Sequence, residues 1–245
     1  MIDAHIPYRV VTDWKLSAES LEGLRAFIIP DAECLDDAAL GVLEKWVDEG
    51  GRLVVTGPSG IREGTVGVFR RRTTSLLPPL TGIDVPRDLG SSIEAELTAP
   101  GVSLHRKLGE GTIVWTPDPV GMEYYLREKE RSYRLSAIVH MVGRSALLDG
   151  HELSSKVGVF AWESEDKQTI FADLVNYDLD AESDAVTPAQ DLRFRMRLPK
   201  GCDKVEATTL SPDEGTSASA TVRDGWAVIH LPRLVHYASV KLAAR

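Results

Sequence analysis

Residues 27–57 read "FIIPDAECLDDAALGVLEKWVDEGGRLVVTG" and contain two short apolar runs on either side of an amphipathic stretch. Both runs are rich in β-branched residues and end at Pro, Asp or Gly, which is typical of buried strands. Between them, apolar residues recur three or four positions apart, which predicts one apolar helix face. That face consists of Leu40, Leu43, Trp46 and Val47.

Acidic residues and glycines mark the two ends of this predicted helix. Asp36 and Asp37 lie at its amino end, where negative charge suits the helix dipole. Gly50 and Gly51 follow its carboxyl end and allow a left-handed stop. A strand, a helix and a strand with short connections form a βαβ unit, so this stretch predicts a parallel sheet with a right-handed crossover.

Further elements are predicted on both sides of this unit. The segments and their predicted structures are a buried strand at 7–13, a short broken helix at 73–86, a strand at 92–97, a hairpin at 102–119 around Gly109–Gly111, and an amphipathic helix at 127–148. Strands and helices therefore alternate up to about residue 147, and the first domain is predicted to span residues 1–148.

The remaining residues, 149–245, show strand patterns and polar turns only. Alternation is clearest in "LRFRMRL" at 192–198, where apolar side chains take every second position and arginines take the others. Such alternation places one face of a strand on a core and the other in water, which is typical of an antiparallel sandwich. The predicted strands lie within 156–164, 168–178, 192–199, 204–212, 217–225, 226–233 and 236–244.

Bulk composition excludes several classes of protein. The 245 residues are 43% hydrophobic and 27% charged, as in soluble globular proteins. No stretch approaches the roughly 20 apolar residues of a membrane-spanning helix, and the start has no signal-peptide pattern, so we expect no membrane partner and cytoplasmic residence. The net charge of −9 argues against a nucleic-acid partner.

A family resemblance rests on several of these segments together. They are "AHIPYRVVTDWKL", the run "FIIPDAECLDDAALGVLEKWVDEGGRLVVTGPSG", "GEGTIVWTPDPVG", "FADLVNYD" and the ending "IHLPRLVHYASVKL". In combination they resemble the carboxyl-terminal part of multidomain β-galactosidase-like glycoside hydrolases. The resemblance implies a domain of flavodoxin-like or glutamine-amidotransferase-like fold, the β-galactosidase trimerisation domain, over 1–148, followed by a β-sandwich over 149–245.

The resemblance also implies what this chain does. The family's catalytic (β/α)8 barrel requires about 200 residues or more, and its repeats are missing from this sequence, so the paired carboxylates of glycoside hydrolysis have no place here. Met1 falls inside what resembles the end of the first helix, so we expect the first strand to be lacking. The resemblance therefore implies a non-catalytic assembly and support module, with a second copy of the chain or a glycoside hydrolase barrel as partner.

Ser59 is a candidate nucleophile for a different function. Gly57 and Ser59 match the first half of the G-x-S-x-G nucleophile elbow, but Ile61 takes the place of the second glycine. Pro58 restricts the turn, and no clearly capped helix follows. The pattern favours a structural turn, with a catalytic serine as the alternative.

Cys34 is the second candidate, since a thiolate near an acidic helix start can act as an amidotransferase-like nucleophile. His5, His105 or His140 would have to serve as its base, and no motif links any of them to Cys34. The alternative is a half-buried apolar residue before a helix. A stand-alone amidotransferase-like hydrolase using Cys34 or Ser59 thus remains the second hypothesis.

Carbohydrate binding by the sandwich is the third hypothesis. Trp162, Tyr177 and Trp226 could stack on sugar rings if they cluster on an exposed face, although aromatics on alternating strands are more often core residues. Metal sites are not supported. The histidines His151, His230 and His236 lack a third ligand at suitable spacing, the acidic turns lack a calcium-loop pattern, and no metal or cofactor is predicted.

Overall fold

A computed structural model describes ten ranges of the chain. They are residues 4–57, 59–60, 62–65, 68–71, 104–116, 119–126, 131–142, 147–166, 168–199 and 202–244. Contacts divide the chain into two units. The α/β unit is Val10–Gly143, and the sandwich unit combines Met1–Arg9 with Arg144–Arg245. Within the described ranges, no helix has both the length and the apolar character needed to cross a membrane.

Among its described residues the α/β unit contains a four-stranded sheet and a smaller three-stranded sheet. In chain order the elements are α1 (Ala18–Leu21), β1 (Ala26–Pro30), β2 (Cys34–Leu35), α2 (Asp37–Asp48), β3 (Arg52–Thr56), β4 (Arg62–Thr65), β5 (Val68–Arg71), β6 (Leu104–Leu108), β7 (Gly111–Thr116), α3 (Val120–Leu126) and α4 (Arg131–Val142). The main sheet has the order β1-β3-β7-β6, in which only β6 runs antiparallel. The predicted hairpin around Gly109–Gly111 is β6 and β7 and is confirmed.

The predicted βαβ unit is confirmed as β1, α2 and β3. The Asp36 side chain accepts a hydrogen bond from the Ala38 amide at 3.0 Å, which satisfies one free N–H group at the start of α2. Gly50 has a φ of 112°, as a left-handed helix stop requires. Leu43 and Val47 are fully buried against β3 and β7, so the helix packs through the predicted face.

One prediction for the α/β unit is wrong, and another is wrong only at its carboxyl end. Residues 7–13 do not form a buried strand, because 7–12 are irregular, Asp13 begins a 3-10 turn and Val10 is 81% exposed. The two valines at 10 and 11 are too short an apolar run to bury a strand without a neighbour to pair with. The helix predicted at 127–148 is present as Arg131–Val142, but Leu148 lies in a strand, so the predicted carboxyl end is too far along the chain. The segments 73–86 and 92–97 lie outside the described residues.

The sandwich unit contains ten strands among its described residues. They are β8 (Leu148–Asp149), β9 (Val157–Glu163), β10 (Thr169–Asn176), β11 (Leu179–Asp180), β12 (Ala185–Val186), β13 (Ala189–Arg197), β14 (Val205–Leu210), β15 (Ser219–Arg223), β16 (Trp226–Leu234) and β17 (Tyr237–Ala244). Two antiparallel four-stranded sheets have the orders β14-β17-β10-β9 and β15-β16-β13-β8.

One apolar core joins these two sheets. Leu174 and Val240 come from the first sheet and Phe194 and Ile229 from the second, and all four are buried. The alternation at 192–198 has the predicted direction, with the apolar positions buried and the arginines exposed. Each of the seven predicted strands is present, so the antiparallel sandwich is confirmed.

The amino-terminal segment contacts the sandwich unit. His5 is 5% exposed, and its Nε2 lies 2.8 Å from the carbonyl oxygen of Val157. Gly150 gives the His5 ring room, since a Cβ there would lie 2.8 Å from the Cβ of His5. The predicted division at residue 148 assigns this segment to the first domain, whereas the contacts group it with the second.

The Asn176 side chain forms hydrogen bonds with three loops of the sandwich. Its Nδ2 donates to the carbonyl oxygens of Thr187 at 2.8 Å and Val235 at 2.9 Å. Its Oδ1 accepts a hydrogen bond from the Asp178 amide at 3.0 Å. Because the side chain is only 8% exposed, these bonds replace those that water would otherwise make.

Candidate functional site

The carboxyl ends of β1 and β3 form the first candidate site, since ligands of parallel α/β sheets bind at that edge. Asp31 follows β1 with a φ of 50°, and its Oδ1 accepts a hydrogen bond from Thr56 Oγ1 at 3.0 Å. Burial raises the pKa of the Asp31 carboxyl, although hydrogen bonds from Thr56 and the Met122 backbone partly oppose this. A Cβ on Gly57 would overlap this carboxylate, so glycine is required beside it.

Ser59 is part of the same edge but is fully buried. Its hydroxyl donates to the Thr56 carbonyl oxygen at 2.8 Å and accepts a hydrogen bond from the Ala32 amide at 3.0 Å. The element after it is β4, a strand, whereas a nucleophile elbow leads into a helix. The Ser59 side chain therefore connects the turn after β3 to the turn after β1.

Cys34 lies in β2, where it is paired with Arg62 of β4, and its thiol is free and half-buried. No hydrogen bond joins Cys34 to any histidine within the described residues. His5 binds the Val157 carbonyl in the sandwich unit, and the side chains of His105 on β6 and His140 on α4 are exposed. The described geometry thus brings no base to either candidate nucleophile.

Three histidines of the sandwich unit, other than His5, each bind a different aspartate. His151 pairs with Asp149 at 2.7 Å, His230 with Asp191 at 2.7 Å, and His236 with Asp213 at 2.8 Å. The hydrogen bond from His236 lowers the pKa of Asp213, and those from Arg193 and then His230 lower the pKa of Asp191. At Asp149 burial opposes the shift, but hydrogen bonds from His151 and Arg195 lower the pKa. No group of three or more metal-binding side chains occurs among the described residues.

Trp226 lies on the sheet β15-β16-β13-β8 and is half-buried. The guanidinium carbons of Arg195 and Arg197 lie 4.9 Å and 5.3 Å from its ring centroid. Arg195 is also bound to Asp149 at 2.7 Å. The ring of Trp226 is thus engaged by cations, and it is on the opposite sheet from the other two candidate aromatics.

Trp162 and Tyr177 are exposed, at 49% and 50%, so the expectation that they belong to the core is wrong. On β9 the side chains of Val157 and Val159 point to the core, which directs Trp162 outward. Tyr177 lies just beyond β10, and its ring crosses Gly158, where a Cβ would lie 2.6 Å from its Cε2.

Neighbouring side chains hold Trp162 in one orientation. The Phe171 ring stacks on it with centroids 3.9 Å apart and planes 8° from parallel. Its Nε1 donates to Asp173 Oδ2 at 2.8 Å, and the Tyr237 hydroxyl donates to Asp173 Oδ1 at 3.0 Å. Burial and the hydrogen bond to Asp173 raise the pKa of Tyr237, which keeps this donor protonated.

These outward side chains form the second candidate site, which we call the aromatic platform. Its members are Phe160, Trp162, Phe171, Asp173, Tyr177 and Tyr237. Of these members, the sequence pattern predicts only Trp162 and Tyr177 as candidate binding residues. The available signal was alternation, because positions 171 and 173 of β10 share one face and that face carries no apolar core residue.

Neither family models nor curated proteins match the sequence. Solved structures do match. An α-L-fucosidase isoenzyme 2 from Paenibacillus thiaminolyticus is similar over 92% of this chain and 41% of its own, with a TM-score of 0.59 and 12% identity. A catalytic mutant of Gan42B, a GH42 β-galactosidase from G. stearothermophilus, is similar over 100% of this chain and 35% of its own, with a TM-score of 0.51 and 14% identity.

This chain therefore spans well under half the length of either structure. Gan42B itself gives the same coverage, with a TM-score of 0.50. Similarity at this level of identity shows a shared fold. The chain has the fold of one part of these glycoside hydrolases.

Proposed function

We propose that this chain is a non-catalytic assembly and support module of a glycoside hydrolase, whose catalytic barrel is absent from the chain. The observation that carries the proposal is the unequal coverage: 100% of this chain matches 35% of a GH42 β-galactosidase. The sequence contains no series of eight βα repeats, so the matched part is not a barrel. The three parallel strands and the crossover helix α2 support a flavodoxin-like or glutamine-amidotransferase-like domain, and cytoplasmic residence stays a prediction from the sequence.

The geometry of the candidate nucleophiles supports a non-catalytic role. A serine nucleophile needs a base that accepts its proton and a position that substrate can reach. Ser59 donates its proton to a backbone carbonyl and is fully buried. Its two hydrogen bonds hold two turns together, which is a structural task.

An apolar stripe on α3 supports an assembly role. Met122, Tyr125 and Leu126 are 56%, 77% and 68% exposed, and their spacing places them on one side of the helix. Exposed apolar side chains in a cluster mark association surfaces. We propose that the stripe binds the same stripe of a second copy, because an uncharged apolar patch is complementary to itself, as a two-fold contact between identical chains requires.

Hydrolysis assays test the absence of catalysis. The full chain, incubated with nitrophenyl β-galactoside and nitrophenyl α-fucoside, should release nitrophenol no faster than buffer. Cys34→Ala and Ser59→Ala should leave that background unchanged, with Cys202→Ala as the matched control for loss of a half-buried free thiol. Turnover of the glycosides would contradict the non-catalytic role. Hydrolysis of glutamine or nitrophenyl acetate that Cys34→Ala or Ser59→Ala abolishes, and Cys202→Ala does not, would establish the amidotransferase-like hydrolase instead.

A further inference from the structure

The aromatic platform holds an exposed indole ring in a fixed position. One face of Trp162 is covered by Phe171, and its single polar atom is bound by Asp173. The residue nevertheless keeps 49% of its surface exposed. A ring that is already fixed on one face and at its Nε1 atom loses little side-chain entropy when a ligand stacks on its exposed part.

The exposed rings follow one line along the strand β9. Phe160 and Trp162 are outward neighbours on β9, and Tyr177 covers Gly158 at the preceding outward position. At about 3.3 Å per residue, the line from 158 to 162 is about 13 Å long. That length matches a short chain of sugar rings. The rings form a narrow row along β9, the outer strand of the sheet β14-β17-β10-β9.

Asp173 provides a hydrogen-bond acceptor at the middle of this line. Its register partner on β9 is Phe160, so its carboxylate lies beside the rings. Trp162 and Tyr237 each donate one hydrogen bond to it. An ionised carboxylate can accept about four hydrogen bonds, so about two remain for a ligand's hydroxyl groups.

We propose that the aromatic platform binds a neutral oligosaccharide, with Trp162 as the stacking surface and Asp173 as the acceptor for sugar hydroxyls. A sugar ring has an apolar C–H face and a rim of hydroxyl donors, and the platform offers the matching ring face and carboxylate. The carboxylate and the net charge of −9 disfavour acidic sugars. Binding here is independent of the assembly role proposed for α3.

Calorimetric titration and tryptophan fluorescence test this proposal with short galacto-, gluco-, manno- and xylo-oligosaccharides as probes. At least one should bind the intact chain. Trp162→Ala should weaken that binding at least about tenfold, because the ring surface buried by the sugar is lost, whereas Trp162→Phe should retain part of it. Thermal unfolding of each variant checks that the chain is folded.

The matched control is Trp14→Ala, which removes another exposed tryptophan, 79% exposed, from the α/β unit. It should leave binding unchanged. The proposal is overturned if no probe binds the intact chain, if Trp14→Ala weakens binding as much as Trp162→Ala, or if Trp162→Phe and Trp162→Ala bind as well as the parent. Failure to bind sugar would not change the oligomeric state of the chain. The sugar-binding proposal and the assembly proposal can therefore fail independently.

Discussion

Replacing Asn176 with aspartate should lower the free energy of unfolding at neutral pH by about 3 kcal/mol or more. The amide Nδ2 donates to the Thr187 and Val235 carbonyls, and a carboxylate has no proton to donate to them. Two carbonyl oxygens would then face a buried negative charge. Urea denaturation at neutral pH measures this loss.

The loss should depend on pH in a definite direction. Burial and the facing carbonyls raise the folded-state pKa of the introduced carboxyl above its unfolded value of about 3.9. Between these two values the folded state binds more protons, so stability rises as the pH falls through the folded pKa. Gln190→Glu, an exposed amide-to-acid change on β13, is the matched control and should change stability by less than about 0.5 kcal/mol. Equal stability of N176D and parent at neutral pH would contradict the described network.

Replacing Gly111 with alanine should destabilise the α/β unit by about 3 kcal/mol or more. Gly111 begins β7 where the end of α2 approaches, and an added Cβ would overlap the carbonyl oxygens of Val47 and Gly51. Backbone atoms cannot move aside as a flexible side chain can. Thermal or urea unfolding of the variant measures the effect.

Gly41→Ala is the matched control for this prediction. Gly41 is exposed within α2, and a Cβ there has nothing within 4 Å. Alanine should therefore stabilise the helix by about 0.5–1 kcal/mol. If Gly111→Ala proved as harmless as Gly41→Ala, the close approach of α2 to β7 would be wrong.

Local patterns in the sequence were sufficient to predict most strands and the helix α2. The face of α2 and the alternation at 192–198 follow directly from where apolar residues recur, because burial repeats with the period of the element. The strand predicted at 7–13 failed because two valines gave an apolar signal without a partner strand. Whether a segment pairs as a strand depends on the strands available beside it, which the sequence of the segment alone does not show.

Contacts between distant segments could not be predicted. His5 and Val157 are 152 positions apart, so the grouping of the amino-terminal segment with the sandwich has no local signal. The aromatic platform also depends on contacts between distant segments. Tyr237 and Asp173 are 64 positions apart and meet through the pairing of β10 with β17. The sequence did identify Trp162, but its exposure follows from which face of β9 meets the core.

The candidate nucleophile Ser59 shows how a motif and its environment differ. The sequence places Ser59 after an apolar strand, as in a nucleophile elbow. Only the surroundings of its hydroxyl distinguish a catalytic serine from a structural turn. Its proton is directed to the Thr56 carbonyl and its lone pair to the Ala32 amide. Ser59 therefore matches the motif in type and position, but its side chain stabilises the sheet edge on which Asp31 lies.

Self-association through α3 can be tested with one pair of leucine-to-glutamate substitutions. Leu126 and Leu210 are both exposed leucines, at 68% and 74%, but only Leu126 belongs to the apolar stripe. Introducing a charge at the centre of an apolar contact should break it, whereas the same change elsewhere should not.

The measurement is the mass of the full chain in solution, by light scattering or sedimentation equilibrium over a wide range of concentration. Pairing of two copies through α3 should give the parent and Leu210→Glu the mass of two chains, and Leu126→Glu the mass of one chain. A parent that stays a single chain at every concentration, or an assembly that Leu126→Glu leaves intact, would contradict it.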